Sequence, residues 1–279
     1  MKSNYPCVLT IAGSDPSGGA GIQADIKAIS ATGGYAAAVI TALTAQNTQG
    51  VQNILKISPD FVREQLDCLA ADLQIAAVKI GMLHNKKIIT VISEFLTRCK
   101  PRHVILDTVM VAKNGCKLLP SSTVSFLKKT LLAQASLITP NLPEAEKLLG
   151  KKITTPFAMA AAAKKLGDEF AINVLIKGGH LPATQCSDVL YEQQSGAISW
   201  FHDKRVDTQH THGTGCTLSS AIASYLAQGF LLAEAIQNSK NYLTQAIQAG
   251  SHLQIGQGRG PVHHFYFLEN SQHDICSHA

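Results

Sequence analysis

The residues His210-Thr211-His212-Gly213-Thr214-Gly215-Cys216-Thr217 lead straight into a run of small and apolar residues that ends near position 227. Within that run Leu218, Ile222 and Leu226 recur at four-residue spacing, which predicts a helix over residues 216–227. The glycine-containing turn at positions 213–215 therefore opens directly into a helix.

Such a turn has the properties of an anion-binding site. The first N–H groups of a helix have no intrahelical partner, and the helix dipole places partial positive charge beside them. Because Gly213 and Gly215 have no side chains, an anion can approach the main chain at Thr214 and Cys216. The structural alternative is that the glycines only cap two elements and that Cys216 is a small core residue.

Strand-like and helix-like segments alternate along the rest of the chain. Strands are predicted at residues 8–12, 37–43, 78–80, 104–106, 137–139 and 174–176, with a hairpin at 188–191 and 197–201. Further helices are predicted at residues 22–31, 60–73, 86–98, 123–132, 143–149, 158–166 and 232–249, with Ser58 as an N-cap. Repeated β-then-α units predict an α/β fold, with a central, mostly parallel sheet, helices on both faces and an antiparallel edge hairpin. We expect one domain over residues 1–270 and a frayed tail at 271–279.

Composition excludes several classes of protein. The formal charge of +5 comes from scattered lysine pairs, so no nucleic-acid partner is expected. No apolar run approaches the roughly 20 residues of a membrane helix, and the start of the chain is interpreted as a strand and not as a signal peptide. Seven dispersed cysteines without zinc spacing indicate a reducing cytoplasm.

Unusual residue strings follow nearly every predicted strand. Because the carboxyl ends of parallel strands meet at one edge of a sheet, these strings predict one composite site. They begin at Gly13, Gln46, Gly81, Asp107, Pro140 and Lys177.

The first glycine loop, residues 13–21, fits neither common nucleotide motif. Gly19-Ala20 stands where a P-loop requires Lys-Ser/Thr, and no acid for a ribose follows the second strand. We interpret the loop as one that closes over a substrate. Asp25, in the helix that follows, either satisfies the helix dipole or contacts the ligand.

Carboxylates also lie where strands turn into helices. Asn141 and Glu144 stand three residues apart at such a point, and Asp107 ends another strand. Oxygen ligands of this kind suit Mg²⁺. The alternative for Glu144 is an acid that only stabilises a helix N-terminus.

Taken together, these strings resemble the ribokinase-like superfamily and, within it, the hydroxymethylpyrimidine/phosphomethylpyrimidine kinases of thiamine biosynthesis. The resemblance extends from position 8 to about 267 and is carried by residues 10–25, 39–48, 79–83, 106–110, 139–145, 177–180, 210–217 and 260–264. It implies phosphorylation of 4-amino-5-hydroxymethyl-2-methylpyrimidine by ATP with Mg²⁺, then of the monophosphate to the diphosphate. It also implies a cytoplasmic homodimer.

The resemblance assigns expected roles. The pyrimidine pocket would be lined by Gly13, Ala20, Asp25, Gln46, Met82 and Val109. Mg²⁺-ATP would be organised by Asp107, Asn141, Lys177, Thr211 and Gly213, with Glu144 and Asp107 at the metal. Gly213, Thr214, Gly215 and Cys216 would form the catalytic anion hole. Related sugar kinases have Asp in place of Cys216.

Cys216 is expected to act as a base, because a helix N-terminus lowers a thiol pKa and a thiolate could accept the hydroxymethyl proton. Three competing interpretations remain. A pyridoxal or pyridoxine kinase would use a similar hydroxymethylated ring. Cys216 with His210 or His212 could form a thiol nucleophile for acyl transfer. A pyrimidine-binding protein without catalysis would show no ATP turnover.

Overall fold

In a computed structural model, residues 5–110, 120–179 and 185–268 are described. These residues form one α/β domain in which a nine-stranded sheet is flanked by helices. The α/β fold class predicted above is thereby confirmed. The predicted frayed tail, 271–279, lies outside the described residues, as do Cys116, His180 and Cys276.

The sheet is parallel through its middle and antiparallel at both edges. Its order is β3-β2-β1-β4-β5-β6-β7-β8-β9, with β2–β3, β7–β8 and β8–β9 pairing antiparallel. The strands are β1 Cys7–Ser14, β2 Tyr35–Asn47, β3 Gly50–Lys56, β4 Ile75–Ile80, β5 His103–Leu106, β6 Leu137–Ile138, β7 Asn173–Ile176, β8 Gln185–Tyr191 and β9 Ile198–Lys204.

Eight α-helices are found in the described part of the chain, at α1 Gly21–Ala31, α2 Pro59–Asp72, α3 Lys86–Cys99, α4 Ser121–Thr130, α5 Leu142–Leu149, α6 Pro156–Phe170, α7 Thr214–Ala227 and α8 Leu232–Gly250. Side-chain caps begin several of them. The predicted cap of α2 is confirmed, because Ser58 Oγ accepts the N–H of Phe61 at 3.2 Å. None of the described helices is long and apolar enough to span a membrane.

Alternation along the strands separates two hydrophobic cores, one on each face of the sheet. On β1, Val8 belongs to one core, whereas Leu9 and Ile11 belong to the other. Successive side chains of a strand point to opposite faces, so a strand that is apolar throughout must be covered on both sides. Helix α7 covers the Val8 face through Leu218 and Ile222.

The prediction that Gln46 and Asn47 follow the second strand is wrong. Strand β2 continues through both residues and turns back into β3, so that Asn47 pairs with Gly50. Strand β3, Gly50–Lys56, is half polar and was not predicted. As an edge strand it buries little apolar surface, which leaves no hydrophobic period to detect.

Candidate functional site

The glycine turn enters helix α7 as predicted, although the helix begins at Thr214, two residues earlier than expected. Gly213 is the N-cap with φ of 79°, and having no side chain it cannot cap the first-turn N–H groups. A Cβ at Gly213 would lie 1.7 Å from the carbonyl oxygen of Gly19. Only glycine therefore lets the first glycine loop rest against this turn.

A lysine–aspartate pair lies beside the turn. Lys177 Nζ, just after β7, is 2.9 Å from Asp107 Oδ1, just after β5, and Thr139 Oγ1 donates to the same oxygen at 3.1 Å. A Cβ at Gly215 would be 3.5 Å from Asp107 Oδ2 and 3.6 Å from Lys177 Nζ. The start of α7 thus faces both charged groups across a gap that a side chain at Gly215 would fill.

Electrostatics keep this pair ionised. Burial alone would raise the pKa of Asp107, but the positive charges of Lys177 and Lys79 outweigh it and the pKa falls. Burial alone would lower the pKa of Lys177, but the carboxylates of Asp107 and Glu144 raise it. The pair therefore presents fixed charges beside the helix N-terminus.

Asn141 and Glu144 form a capping box at the start of α5. Asn141 Oδ1 accepts the N–H of Glu144 at 2.9 Å, and the Asn141 N–H donates to Glu144 Oε2 at 2.9 Å. The other oxygen, Glu144 Oε1, accepts a long hydrogen bond from the Met110 N–H, at 3.4 Å. Burial raises the pKa of Glu144 to about 7, the charge of Asp107 adds to it, and Lys177 opposes it. Glu144 is thus a helix acid whose second oxygen is weakly engaged.

Two buried carboxylates close to one lysine fit a hard cation such as Mg²⁺ in the chemistry of their donors. Among the described residues, no cluster of three or more His, Cys, Asp or Glu side chains could hold a metal ion. A Mg²⁺ ion bound here would therefore take most of its ligands from phosphates and water, as Mg²⁺ commonly does.

Beneath α7 lies a second lysine–aspartate pair. Lys79 Nζ is 2.7 and 2.8 Å from the two carboxylate oxygens of Asp25, and both side chains are 0% exposed. Thr10 Oγ1 and Ser220 Oγ also donate to Asp25, at 2.6 and 2.8 Å. Asp25 lies beyond the first turn of α1 and has these partners, so the helix-dipole interpretation is wrong. The structure places its carboxylate below the surface of the site.

Lys79 was not singled out by sequence reasoning, although a lysine inside the apolar strand β4 was a signal for a buried partner. Asp188 of β8 was missed in the same way. It accepts the Gly178 N–H at 2.9 Å and the ammonium of Lys240 at 2.7 Å, and so holds the backbone that follows Lys177.

Cys216 does not have the lowered pKa that was predicted. The side chain is only partly exposed, and burial raises the pKa of its thiol to about 11. Lys79 and the N–H of Gly21 lower this pKa, whereas Asp25 and Asp107 raise it further. Desolvation therefore outweighs the helix dipole, and the thiol is neutral near pH 7.

The residues expected to line the pyrimidine pocket reach the same end of the sheet. A Cβ at Gly13 would lie 2.6 Å from Met82 Cε, and Val109 is partly exposed after β5. Ala20 caps α1 and donates its N–H to Asp15 at 2.9 Å. Gln46 lies beside His212, and the carbonyl of Thr211 accepts from Thr214 Oγ1 at 3.2 Å.

A known structure shares this architecture. A crystal structure of an ADP complex of Bacillus subtilis pyridoxal kinase superimposes with a TM-score of 0.87 and 34% identity, covering 95% of this chain and 99% of that chain. The sheet and the glycine turn at its carboxyl edge thus define a protein of the ribokinase-like fold.

Sequence comparison narrows this class. A sequence model described as phosphomethylpyrimidine kinase matches residues 15–263. The chain belongs to the phosphomethylpyrimidine kinase family. It is 47% identical over 259 residues to the hydroxymethylpyrimidine/phosphomethylpyrimidine kinase of Escherichia coli, covering 92% of this chain and 97% of that protein.

A third relative is larger than this chain. The thiamine biosynthesis bifunctional protein ThiED of Geobacter sulfurreducens is 48% identical over 263 residues, which are 94% of this chain and 53% of that protein. The chain therefore spans about half of that relative and nearly all of the Escherichia coli one.

Proposed function

We propose that this chain transfers the γ-phosphoryl group of ATP to the hydroxyl of 4-amino-5-hydroxymethyl-2-methylpyrimidine, and then phosphorylates the monophosphate to the diphosphate. The observation that carries the proposal is the first turn of α7, where Gly215 faces both members of the Lys177–Asp107 pair. Family membership and the near-complete coverage of the Escherichia coli relative support the substrate. The ADP complex of the Bacillus subtilis relative supports the nucleotide.

Phosphoryl transfer requires positioning and stabilisation of charge on the moving group. In this proposal the backbone N–H groups of the first turn of α7 bind the phosphoryl oxygens, and Lys177 contacts the phosphates of ATP. Asn141 and Thr211 border the nucleotide from the start of α5 and the approach to α7. When bound, Mg²⁺ would be held by Glu144 and Asp107 and would neutralise phosphate charge.

The proposed pyrimidine pocket is closed by Gly13, Ala20, Met82 and Val109, and Gln46 supplies an amide for the ring edge. Asp25 lies beneath the pocket, where its oxygens accept hydrogen bonds from Lys79 and Ser220 and so fix the position of the residues under Cys216. This is a positioning role in place of the direct contact expected from sequence.

A neutral thiol at Cys216 changes the expected proton path. With a pKa of about 11, only about one thiol in ten thousand is ionised at pH 7. A loose phosphoryl-transfer transition state needs little help from a base, so the hydroxyl proton can leave to a phosphate oxygen. Cys216 then shapes the anion hole and contacts the hydroxyl without removing its proton.

The decisive test gives the purified chain ATP and Mg²⁺ with either the hydroxymethylpyrimidine or pyridoxal, and follows products by phosphorus NMR. We expect monophosphate and then diphosphate from the pyrimidine, at a kcat/KM at least tenfold above that for pyridoxal. Preference for pyridoxal would favour the pyridoxal kinase alternative. An acyl-enzyme burst without ATP, or binding without turnover, would support the two remaining alternatives.

We also propose that the chain forms a homodimer in a reducing cytoplasm. Leu43 and Leu55 pair directly across the β2–β3 edge and are 40% and 64% exposed, an apolar pair that a second subunit would cover. Leu55→Lys should shift sedimentation from dimer to monomer, whereas Phe157→Lys, at a residue 86% exposed elsewhere, should not.

The five cysteines within the described ranges are all free, which supports the proposed reducing cytoplasm.

A further inference from the structure

We propose that His212 is a positioning residue that fixes the amide of Gln46 as a hydrogen-bond donor to a ring-nitrogen acceptor of the substrate. The inference deepens the proposed function and rests on it, because Gln46 is placed in the pyrimidine pocket. No catalytic contact is assigned to His212 itself.

His212 joins three segments of the site. Its backbone N–H donates to the carbonyl of Gly260 at 3.1 Å, and its ring nitrogen Nε2 is 2.7 Å from Asp15 Oδ2 in the first glycine loop. The ring also covers Gly19, where a Cβ would lie 2.3 Å from His212 Cδ2. Since His212 directly precedes Gly213, the ring ties the loop to the start of the anion hole.

The proton on His212 Nε2 follows from the partners of Asp15. Hydrogen bonds from His212 and Ser17 outweigh burial and lower the pKa of Asp15, so its carboxylate is ionised and can only accept. Its Oδ2 accepts from Ala20 N and its Oδ1 from Ser17. His212 Nε2 therefore carries a hydrogen and donates it towards Asp15.

This assignment decides which way the Gln46 amide faces. As placed in the structure, Gln46 Nε2 is 3.3 Å from His212 Nε2, and Gln46 Oε1 is 3.2 Å from Thr44 Oγ1. A protonated Nε2 repels an N–H group and cannot accept from it, so we infer that the two terminal atoms of the amide are exchanged and that the oxygen faces His212. Thr44 Oγ1 donates to the Ser14 carbonyl at 2.9 Å, so it accepts from the amide nitrogen.

The consequence is a defined donor in the pocket. One N–H of the Gln46 amide is used by Thr44, which leaves the second N–H for a ligand. A site that donates to a ring nitrogen discriminates against a ring with carbon at that position, because a donor covered by the bound ring loses its partner. His212 thus contributes to specificity without touching the ring.

The test compares wild type, His212→Leu and His212→Gln in steady-state kinetics, with the pyrimidine and ATP varied separately. His212→Leu should raise the KM for the pyrimidine at least tenfold and change the KM for ATP less than twofold. His212→Gln retains an N–H donor and should recover most of the loss. His202→Leu, on the exposed edge strand β9, is the matched control.

An analogue in which CH replaces the ring nitrogen next to the amino-bearing carbon sharpens the test. Wild type should lose at least tenfold in kcat/KM with this analogue, and His212→Leu should lose less than threefold. Equal discrimination in both proteins, or an unchanged pyrimidine KM in His212→Leu, would overturn the inference.

Two controls separate other causes of failure. If wild type turns over no pyrimidine, the proposed function has failed, whereas a failure confined to the variants concerns only His212. If His212→Leu does not fold, Asp15→Asn tests the same point, since it removes the carboxylate that keeps the hydrogen on His212 Nε2. An unchanged pyrimidine KM in that variant would contradict the inference.

Discussion

One lysine–aspartate pair lies beside the glycine turn and another lies beneath α7, and water reaches only the first of them. Lys79 and Asp25 are both 0% exposed, and hydroxyls of Thr10 and Ser220 occupy the remaining positions on the carboxylate. In the other pair, the Lys177 side chain is 16% exposed, although its partner Asp107 is only 2% exposed.

This difference in exposure indicates that the Lys79–Asp25 pair stabilises the fold and that the Lys177–Asp107 pair can bind a ligand. A buried pair whose carboxylate oxygens already have partners gains little from a ligand, and removing the lysine leaves an uncompensated charge. A lysine that is open to water can exchange its carboxylate partner for a phosphate at small cost. We therefore expect the Lys79 pair to govern folding and the Lys177 pair to govern nucleotide turnover.

The largest effect is expected from Lys79→Met, which leaves Asp25 charged and unpaired in the core. The free energy of unfolding should fall by about 3–5 kcal/mol, measured by urea denaturation. The double variant Asp25→Asn/Lys79→Met should be less destabilised than Lys79→Met alone. A stability loss below about 1 kcal/mol would contradict the scaffold role of this pair.

Lys177→Met should act mainly on turnover. Removing a preorganised group that stabilises transition-state charge typically lowers the rate about 10²–10³-fold, and we expect that loss in kcat/KM for ATP. Its effect on unfolding should be smaller than that of Lys79→Met, because water can enter the vacated space. Lys152→Met, at a lysine 85% exposed, is the control and should match wild type. Turnover within threefold of wild type would place Lys177 outside the phosphate site.

The pH dependence of stability tests Glu144, which lies near the Lys177–Asp107 pair. The pKa of Glu144 is raised to about 7 in the folded chain, chiefly by burial, from an ordinary value near 4.5. Between pH 4.5 and 7 the folded chain keeps the proton on Glu144 and the unfolded chain does not. The stability contributed by this group is therefore complete below pH 4.5 and is lost as the pH rises through 7. Glu144→Gln should remove this loss from urea midpoints measured between pH 5 and 8.

Glu146→Gln is the matched control on the same helix. Hydrogen bonds from the Ile153 N–H and from Lys152 lower the pKa of Glu146, which shifts its contribution to lower pH and reverses its sign. Parallel midpoint curves for wild type and Glu144→Gln would show that the carboxyl of Glu144 does not titrate in this range.

The smallest effect is expected from Cys216→Ser. If the thiol is neutral and only shapes the anion hole, single-turnover rates of the first and second phosphorylation should fall by similar factors, within about tenfold. Loss of a general base would instead slow the first step by about 10²–10⁴ and spare the second, because a phosphate acceptor is already ionised. Such unequal loss would restore the thiolate hypothesis.

An element could be predicted from the sequence when the residues that cause it lie within the element or next to it. Strands β1, β4, β5 and β7 and the helices were predictable because each has an apolar pattern within its own residues, and caps or glycines bound several of them. The edge strand β3 has no such pattern, and its pairing with β2 extends Gln46 and Asn47 into the sheet. The turn at Gly213 was predictable because a glycine before a helix is a local signal.

The properties of individual side chains were harder to predict. The pKa of Cys216 depends on burial and on the charges of Asp25, Asp107 and Lys79, which come from three other segments of the chain. Likewise, the ion pair of Asp25 could not be predicted, because its partner Lys79 lies 54 positions away in the chain. No pattern within a window of sequence contains these distances.

The sequence by itself determined the helices, the strands other than β3, the glycine turn that opens α7 and the family resemblance, because hydrophobic period, caps and glycines act over a few residues. Only the tertiary structure decided that Lys79 is buried under α7, that Lys177 is partly exposed beside Gly215, and that the Cys216 thiol stays protonated. Desolvation and Coulomb interactions depend on through-space distances, and folding alone brings those groups together.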